Sequence, residues 1–268
     1  MVDAGLYDPT KFACPLPDVV LGQHVNSSRV GVVGTRAGGF ASASDSFFVT
    51  LYGRGGHASQ PHHTIDPVVL AAHVIIRLQT VVSREVEPKD SAVVTVASVH
   101  AGMTENIIAD FAELKINIRT VKPETREKVL AAIKRIVQAE CDASNCPKPP
   151  LWKTSSQLPF LINDDHVAAT ISSSFGDYFG DNFNPNAEPT GGSEDFGVLA
   201  SGAPNQPPCC FWMFGGTDAK KWDEAEKKGT LETDIPVNHS SHFAPVIRPT
   251  IDVGVDAMVI AGLTFLGK

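Results

Sequence analysis

Between residues 44 and 156 the chain switches its hydrophobic period in a regular order. Residues 44–53 are rich in aromatic and β-branched side chains and predict a strand. Thr64 or Asp66 can then cap a helix whose first turn holds Pro67. Val68, Ala72, Ile75 and Val82 mark its apolar stripe at near-helical spacing. A second strand is predicted from Ala92 to Val99 and a third from Phe111 to Thr120. The third alternates cleanly, with Ala112, Leu114, Ile116 and Ile118 on one face and Glu113, Lys115, Asn117 and Arg119 on the other. Pro123 opens a second helix with Val129, Ile133, Ile136 and Val137 inward, and a fourth strand is placed near Leu151–Ser155. Strand–helix–strand–strand–helix–strand is the order of a split βαβ sandwich.

The flanking segments differ in character. They hold Gly191-Gly-Ser-Glu-Asp-Phe196, an apolar strand from Cys209 to Phe214 and a terminal helix after Pro249. Its apolar run, Ile251–Leu266, carries Asp252 and Asp256, which favours a buried helix over a membrane span. The reading is therefore α/β, with residues 1–43 and 157–268 forming one partial domain of about two strands and three or four helices. Residues 44–156 form a compact insertion within it.

Composition narrows the partners. With 43% hydrophobic and 19% charged residues the chain is globular, and a net charge of −8 argues against nucleic acid. Five cysteines without a CxxC pair suit a reducing compartment, and the acidic start MVDAGLYDPTKF is not a signal peptide. A cytoplasmic protein with no membrane partner is expected.

The densest chemical signal is Leu51-Tyr-Gly-Arg-Gly-Gly-His-Ala-Ser-Gln-Pro-His-His63. Glycine clusters mark tight turns or close backbone approach, and histidine serves metals and proton transfer near neutral pH. A nucleotide-binding turn, a metal or catalytic loop and a hairpin corner all compete here. Gly53-x-Gly55-x-x-Ala58 fails as a dinucleotide fingerprint, because Pro61 and two histidines intervene before the helix. The chain also lacks G-x-S-x-G and HExxH. Local motifs leave the function open.

Taken together, six separated segments carry a resemblance. They are Gly22-Gln-His-Val25, Tyr52-Gly-Arg-Gly-Gly-His-Ala58, Thr104-Glu-Asn-Ile-Ile-Ala-Asp110, Ile118-Arg-Thr120, Gly192-Ser-Glu-Asp-Phe196 and His239-Ser-Ser-His-Phe243. In order and spacing they resemble the metal-dependent amidohydrolases related to aminoacylase, hippurate hydrolase and indole-acetyl-amino-acid hydrolase. The resemblance implies a metallo-exopeptidase-like fold, in which a ferredoxin-like lid that mediates homodimerisation interrupts a two-metal catalytic domain. It implies hydrolysis of N-acyl amino acids, with divalent metal (zinc or manganese) polarising the carbonyl and a glutamate as general base.

Carried over by residue, His24 and His239 resemble metal ligands. His57 resembles a lid histidine that reaches the neighbouring subunit's site and stabilises charge on the scissile carbonyl oxygen. Asn106 and Arg119 resemble substrate-holding lid residues, and Glu194 is expected to line the site. Gln23 and Ala109 replace the family's usual leucine and proline. Each residue also has a plainer reading: a strand-end histidine at 24, a polar loop at 239, a turn at 106 and a solvated charge at 119. Ser193 is read as a helix N-cap, Cys209 and Cys210 as core, and His62 and His63 as surface.

The family's Cys-Gly-His-Asp segment and Glu-Glu pair, which supply further ligands and the base, have no counterpart here, and Met1–Tyr7 resembles sequence shortly after that pair. The expectation is a shortened chain that does not itself hydrolyse amides. The alternative is a non-catalytic homologue that retains dimerisation or ligand binding.

Overall fold

The computed structural model describes residues 1–12 and 14–267. In chain order the strands begin with β1 (Val20–Arg29), β2 (Val33–Gly34), β3 (Gly38–Ala41), β4 (Ala43–Tyr52) and β5 (Gly56–His57). Helix α1 (Pro67–Thr80) leads to β6 (Ala92–Ala101), β7 (Ile107–Ile108) and β8 (Phe111–Thr120). After α2 (Pro123–Ala143) come β9 (Leu151–Leu158), β10 (Leu161–Asn163), α3 (Asp165–Phe179) and β11 (Phe183–Asn184). The chain closes with α4 (Gly197–Ser201), β12 (Cys209–Thr217), α5 (Ala219–Lys228), α6 (Leu231–Asp234) and α7 (Ile247–Leu266). It divides into two compact units: Ala41–Phe160 with Gly191–Glu194, and the remainder.

The inserted unit is an antiparallel sheet in the order β6-β8-β4-β9. Strand β8 pairs with β4 without a slip, from Ala43 opposite Thr120 to Tyr52 opposite Phe111. Its alternation is the one expected: Ala112, Leu114, Ile116 and Ile118 are buried, and the residues between them face away. Their buried face meets Leu70, Val74 and Leu78 of α1 and Val129, Ile133 and Val137 of α2. Each such leucine or isoleucine contributes about 1.5–3 kcal/mol of apolar burial.

Helix α1 corrects the expected stripe. Asp66 caps it, its carboxylate accepting from the Val68 and Val69 amides. Val68 and Ala72, however, are exposed, and the core face is Leu70, Ala71, Val74 and Leu78. The sequence PVVLAAHVIIRLQT is apolar on several faces, so periodicity alone does not choose among them.

Asp45 is fully buried on β4. The Arg126 guanidinium donates to both its carboxylate oxygens at 2.7 Å, and the Gln157 side chain donates at 2.9 Å. These bonds tie α2 and β9 to the central strand, and they raise the Arg126 pKa.

The other unit centres on a sheet in the order β1-β12-β2-β11, with β1 and β12 parallel. Val167, Ile171 and Phe175 of α3 pack with Cys210 and Trp212 of β12 and Ala257 and Ala261 of α7. The chain holds more strands here than expected, because two-residue strands such as β2 and β11 carry no alternation to read. Regular helix begins in α7 after Arg248, as Pro249 predicts. This helix is one-sided rather than buried. Small residues face inward (a Cβ added at Gly254 would meet the Phe214 ring at 2.9 Å), while Ile251, Val255, Val259 and Leu263 are exposed.

Candidate functional site

The glycines of the Leu51–His63 stretch are required by close approach. A Cβ at Gly53 would sit 2.3 Å from the Ile65 carbonyl oxygen, and one at Gly55 would sit 2.7 Å from that of Ile108. The loop is pinned by the Gly53 amide donating to the Asp110 carbonyl at 2.7 Å and the Gly55 amide donating to the Asp110 carboxylate at 2.9 Å. Strand β5 pairs with β7, placing His57 opposite Ile107, and the Ala58 amide donates to the Asn106 carbonyl at 3.0 Å. His57 and Asn106 are thereby brought together at one end of the sheet, both exposed.

The His57 ring has a defined polarity. The Ser59 backbone amide donates to Nδ1 at 3.1 Å, and the Ser59 hydroxyl lies 2.7 Å from the same atom. A backbone N–H can only donate, so Nδ1 is the acceptor and neutral His57 carries its proton on Nε2. An exposed Nε2–H is suited to stabilising a developing oxyanion. Sequence reasoning did not mark Ser59; the signal was a hydroxyl two residues after a functional histidine.

Arg119 lies at the opposite end of β8. It stands eight positions along the strand from Phe111, about 27 Å of extended backbone. One guanidinium nitrogen, Nη1, donates to the Gly191 carbonyl at 3.2 Å and to the Ser193 hydroxyl at 3.0 Å. Nε and Nη2 donate to no acceptor among the described residues, leaving the guanidinium's bidentate edge available. Glu194 follows in the same segment and is half-buried. This corrects the reading of Ser193 as an N-cap: α4 starts only at Gly197, and the Ser193 hydroxyl bonds Arg119 and Ser42 instead.

His24 and His239 belong to the other unit, and both are exposed. His24 is on β1 with its Nδ1 2.5 Å from the Val25 carbonyl, which also accepts from the Asn238 side chain at 2.9 Å. One hydrogen bond thus links the neighbours of two histidines that are 215 residues apart in sequence. His239 adopts a left-handed φ of 68°, uncommon for a residue with a side chain. Among the described residues no group of three or more His, Cys, Asp or Glu side chains could hold a metal ion. A catalytic zinc ordinarily takes three protein ligands, so these two histidines do not by themselves fit one. Cys209 and Cys210 are core residues of β12, and burial pushes the Cys210 thiol up to about 12.

Residues 42–145 match the model of the M20 peptidase dimerisation domain. The chain is 42% identical over 132 residues to N-acetyldiaminopimelate deacetylase of Anoxybacillus flavithermus, covering 49% of this chain and 35% of that protein. It is 28% identical over 269 residues to thermostable carboxypeptidase 2 of Saccharolobus solfataricus, covering 100% of this chain and 62% of that protein. Residues 42–145 thus form an M20 peptidase dimerisation domain, and the whole chain is similar to hydrolases of the M20 type. Its fold agrees with that of the YXEP protein of Bacillus subtilis, described as a dinuclear metal binding peptidase from the M20 family (22% identity, TM-score 0.65, 93% of this chain and 57% of that one). In M20 terms the inserted unit is the lid-like dimerisation domain. Both relatives carry hydrolase names, a deacetylase and a carboxypeptidase, and this chain spans 35% and 62% of their respective lengths.

Proposed function

We propose that this chain supplies the substrate-holding lid of an M20 amidohydrolase acting on N-acyl amino acids, and that it works as a homodimer. The observation that carries the reading is Arg119. Its Nη1 is anchored, while Nε and Nη2 are free to grip a carboxylate through two parallel N–H bonds. His57 would present Nε2–H to the scissile carbonyl oxygen, and Asn106 would offer its side-chain amide beside it.

In an N-acyl amino acid, a single carbon separates the amide nitrogen from the carboxylate. Arg119 and the His57 end of the sheet are about 27 Å apart along β8, so one copy cannot place both on one substrate. Two copies can, with His57 and Asn106 from one and Arg119 from the other. The match to a dimerisation domain supports this arrangement.

A divalent metal such as zinc or manganese would polarise the carbonyl in the reaction. The described residues assemble no three-donor group, so an ion would need ligands beyond His24 and His239. We therefore read the 268-residue chain as competent to bind substrate and not, by itself, to hydrolyse it. The test is carboxylate-dependent binding: the chain should bind an N-acyl amino acid more tightly than the matching acyl amide, and Arg119→Ala should remove the difference.

A further inference from the structure

The loop joining β6 to β8 presents large apolar side chains to solvent. Gly102 turns the chain out of β6 with a left-handed φ of 69°, and Met103 after it is fully exposed. Ile107 is 56% and Phe111 48% exposed. All three line one cleft of about 360 Å³, within the range of small-molecule sites. Exposing such side chains together is unfavourable unless something covers them.

Two features identify the occupant. The cleft lies beside His57 and Asn106, because Ile107 is the β7 residue paired with His57. Its polar wall carries the two carboxylates Asp110 and Glu113, with His100 and Thr104 as its other polar side chains. Asp110 is turned inward to the Gly55 amide, and Glu113 stands opposite His100 across the β6–β8 pair. An apolar group fits this lining, whereas a second carboxylate would meet like charge.

We propose that this cleft takes the acyl group of the substrate, and that Met103, Ile107 and Phe111 select apolar acyl chains longer than acetyl over acyl groups that end in a carboxylate. The inference rests on the N-acyl amino acid reading above. In that geometry the scissile carbonyl sits at His57 Nε2, its carboxylate side points to the partner copy's Arg119, and its acyl side enters the cleft.

Methionine methyl groups give a readout independent of activity, since the chain has only four methionines. The protein is labelled with 13C-methyl methionine and titrated with N-octanoylglycine, N-acetylglycine, N-succinylglycine and octanamide. The Met103 resonance should move with N-octanoylglycine, saturating at a ligand concentration at least about tenfold lower than with N-acetylglycine, because several methylenes leave water. N-succinylglycine should bind no better than N-acetylglycine. Met213, in the other unit, should not move.

Ile107→Glu and Phe111→Ser should each abolish the preference for octanoyl, with unchanged hydrogen exchange of the β4 and β8 amides reporting an intact lid. If octanamide moves Met103 as strongly as N-octanoylglycine, the cleft stands and the carboxylate reading fails. If binding requires the carboxylate but acetyl, octanoyl and succinyl bind equally, the cleft assignment is overturned. It is equally overturned if no ligand moves Met103, or if that resonance responds only to protein concentration, which would make the patch a contact between copies.

Discussion

Replacing Arg119 with alanine removes one guanidinium and leaves the β8 backbone paired on both sides. In the free protein the change costs two hydrogen bonds, to Gly191 and Ser193, at a half-exposed position. Stability should therefore move little. With substrate bound it removes two charge-assisted bonds to a carboxylate, worth roughly 1.5–3 kcal/mol together at such a position. That is about 10- to 150-fold in Kd. The contrast between ligands is the informative quantity. Titration calorimetry with an N-acyl amino acid should show the full loss, and the matching acyl amide should bind Arg119→Ala as it binds the parent chain. Arg119→Lys should recover only part of the affinity, because an ammonium keeps the charge but not the planar pair of donors. Equal weakening of both ligands would refute the reasoning, for it would mean that Arg119 holds the loop at Gly191–Ser193 rather than reading a carboxylate.

Asp45→Ala leaves the Arg126 guanidinium facing a buried carboxylate site with no acceptor in it, and should cost about 3–5 kcal/mol. Hydrogen exchange of β4 and β9 amides should accelerate roughly a hundredfold to a few-thousandfold, with β1 and β12 unchanged; acceleration below about tenfold in β4 and β9 would contradict the assigned role. The purified chain, supplied with zinc or manganese, should retain less than one tightly held ion per copy and show no turnover of an N-acyl amino acid. Paired ions in every copy, with hydrolysis lost in His239→Ala, would overturn that expectation.

The lid was legible because its signals are local. Strand β8 alternates without exception, and proline or Asp66 marks each helix start within a few residues of the observed one. What escaped was set by distance or by excess. Asp45 and Arg126 are 81 residues apart, and neither sequence neighbourhood hints at a buried pair. Helix α1 offers more apolar faces than the core can use, so its orientation is decided by packing against β8 and α2. Ser193 precedes acidic residues in the manner of an N-cap, yet the loop continues to Gly197 and its hydroxyl is taken by Arg119. The tautomer of His57 follows from one backbone amide, which no composition or period reveals.

The most direct test of the account asks whether His57 and Arg119 serve one substrate from different copies. His57→Ala and Arg119→Ala chains are prepared separately, then mixed in equal amounts and allowed to exchange subunits. Binding sites for an N-acyl amino acid are counted by equilibrium dialysis at a ligand concentration that fills only parental sites. In a two-copy site, half of the randomly reassorted dimers are mixed, and each mixed dimer has one site with both residues intact. The account predicts that the mixture regains about a quarter of the parental sites while each variant alone shows almost none. No recovery, in a mixture shown by mass spectrometry to contain mixed dimers, would place both residues in the same copy and contradict the account.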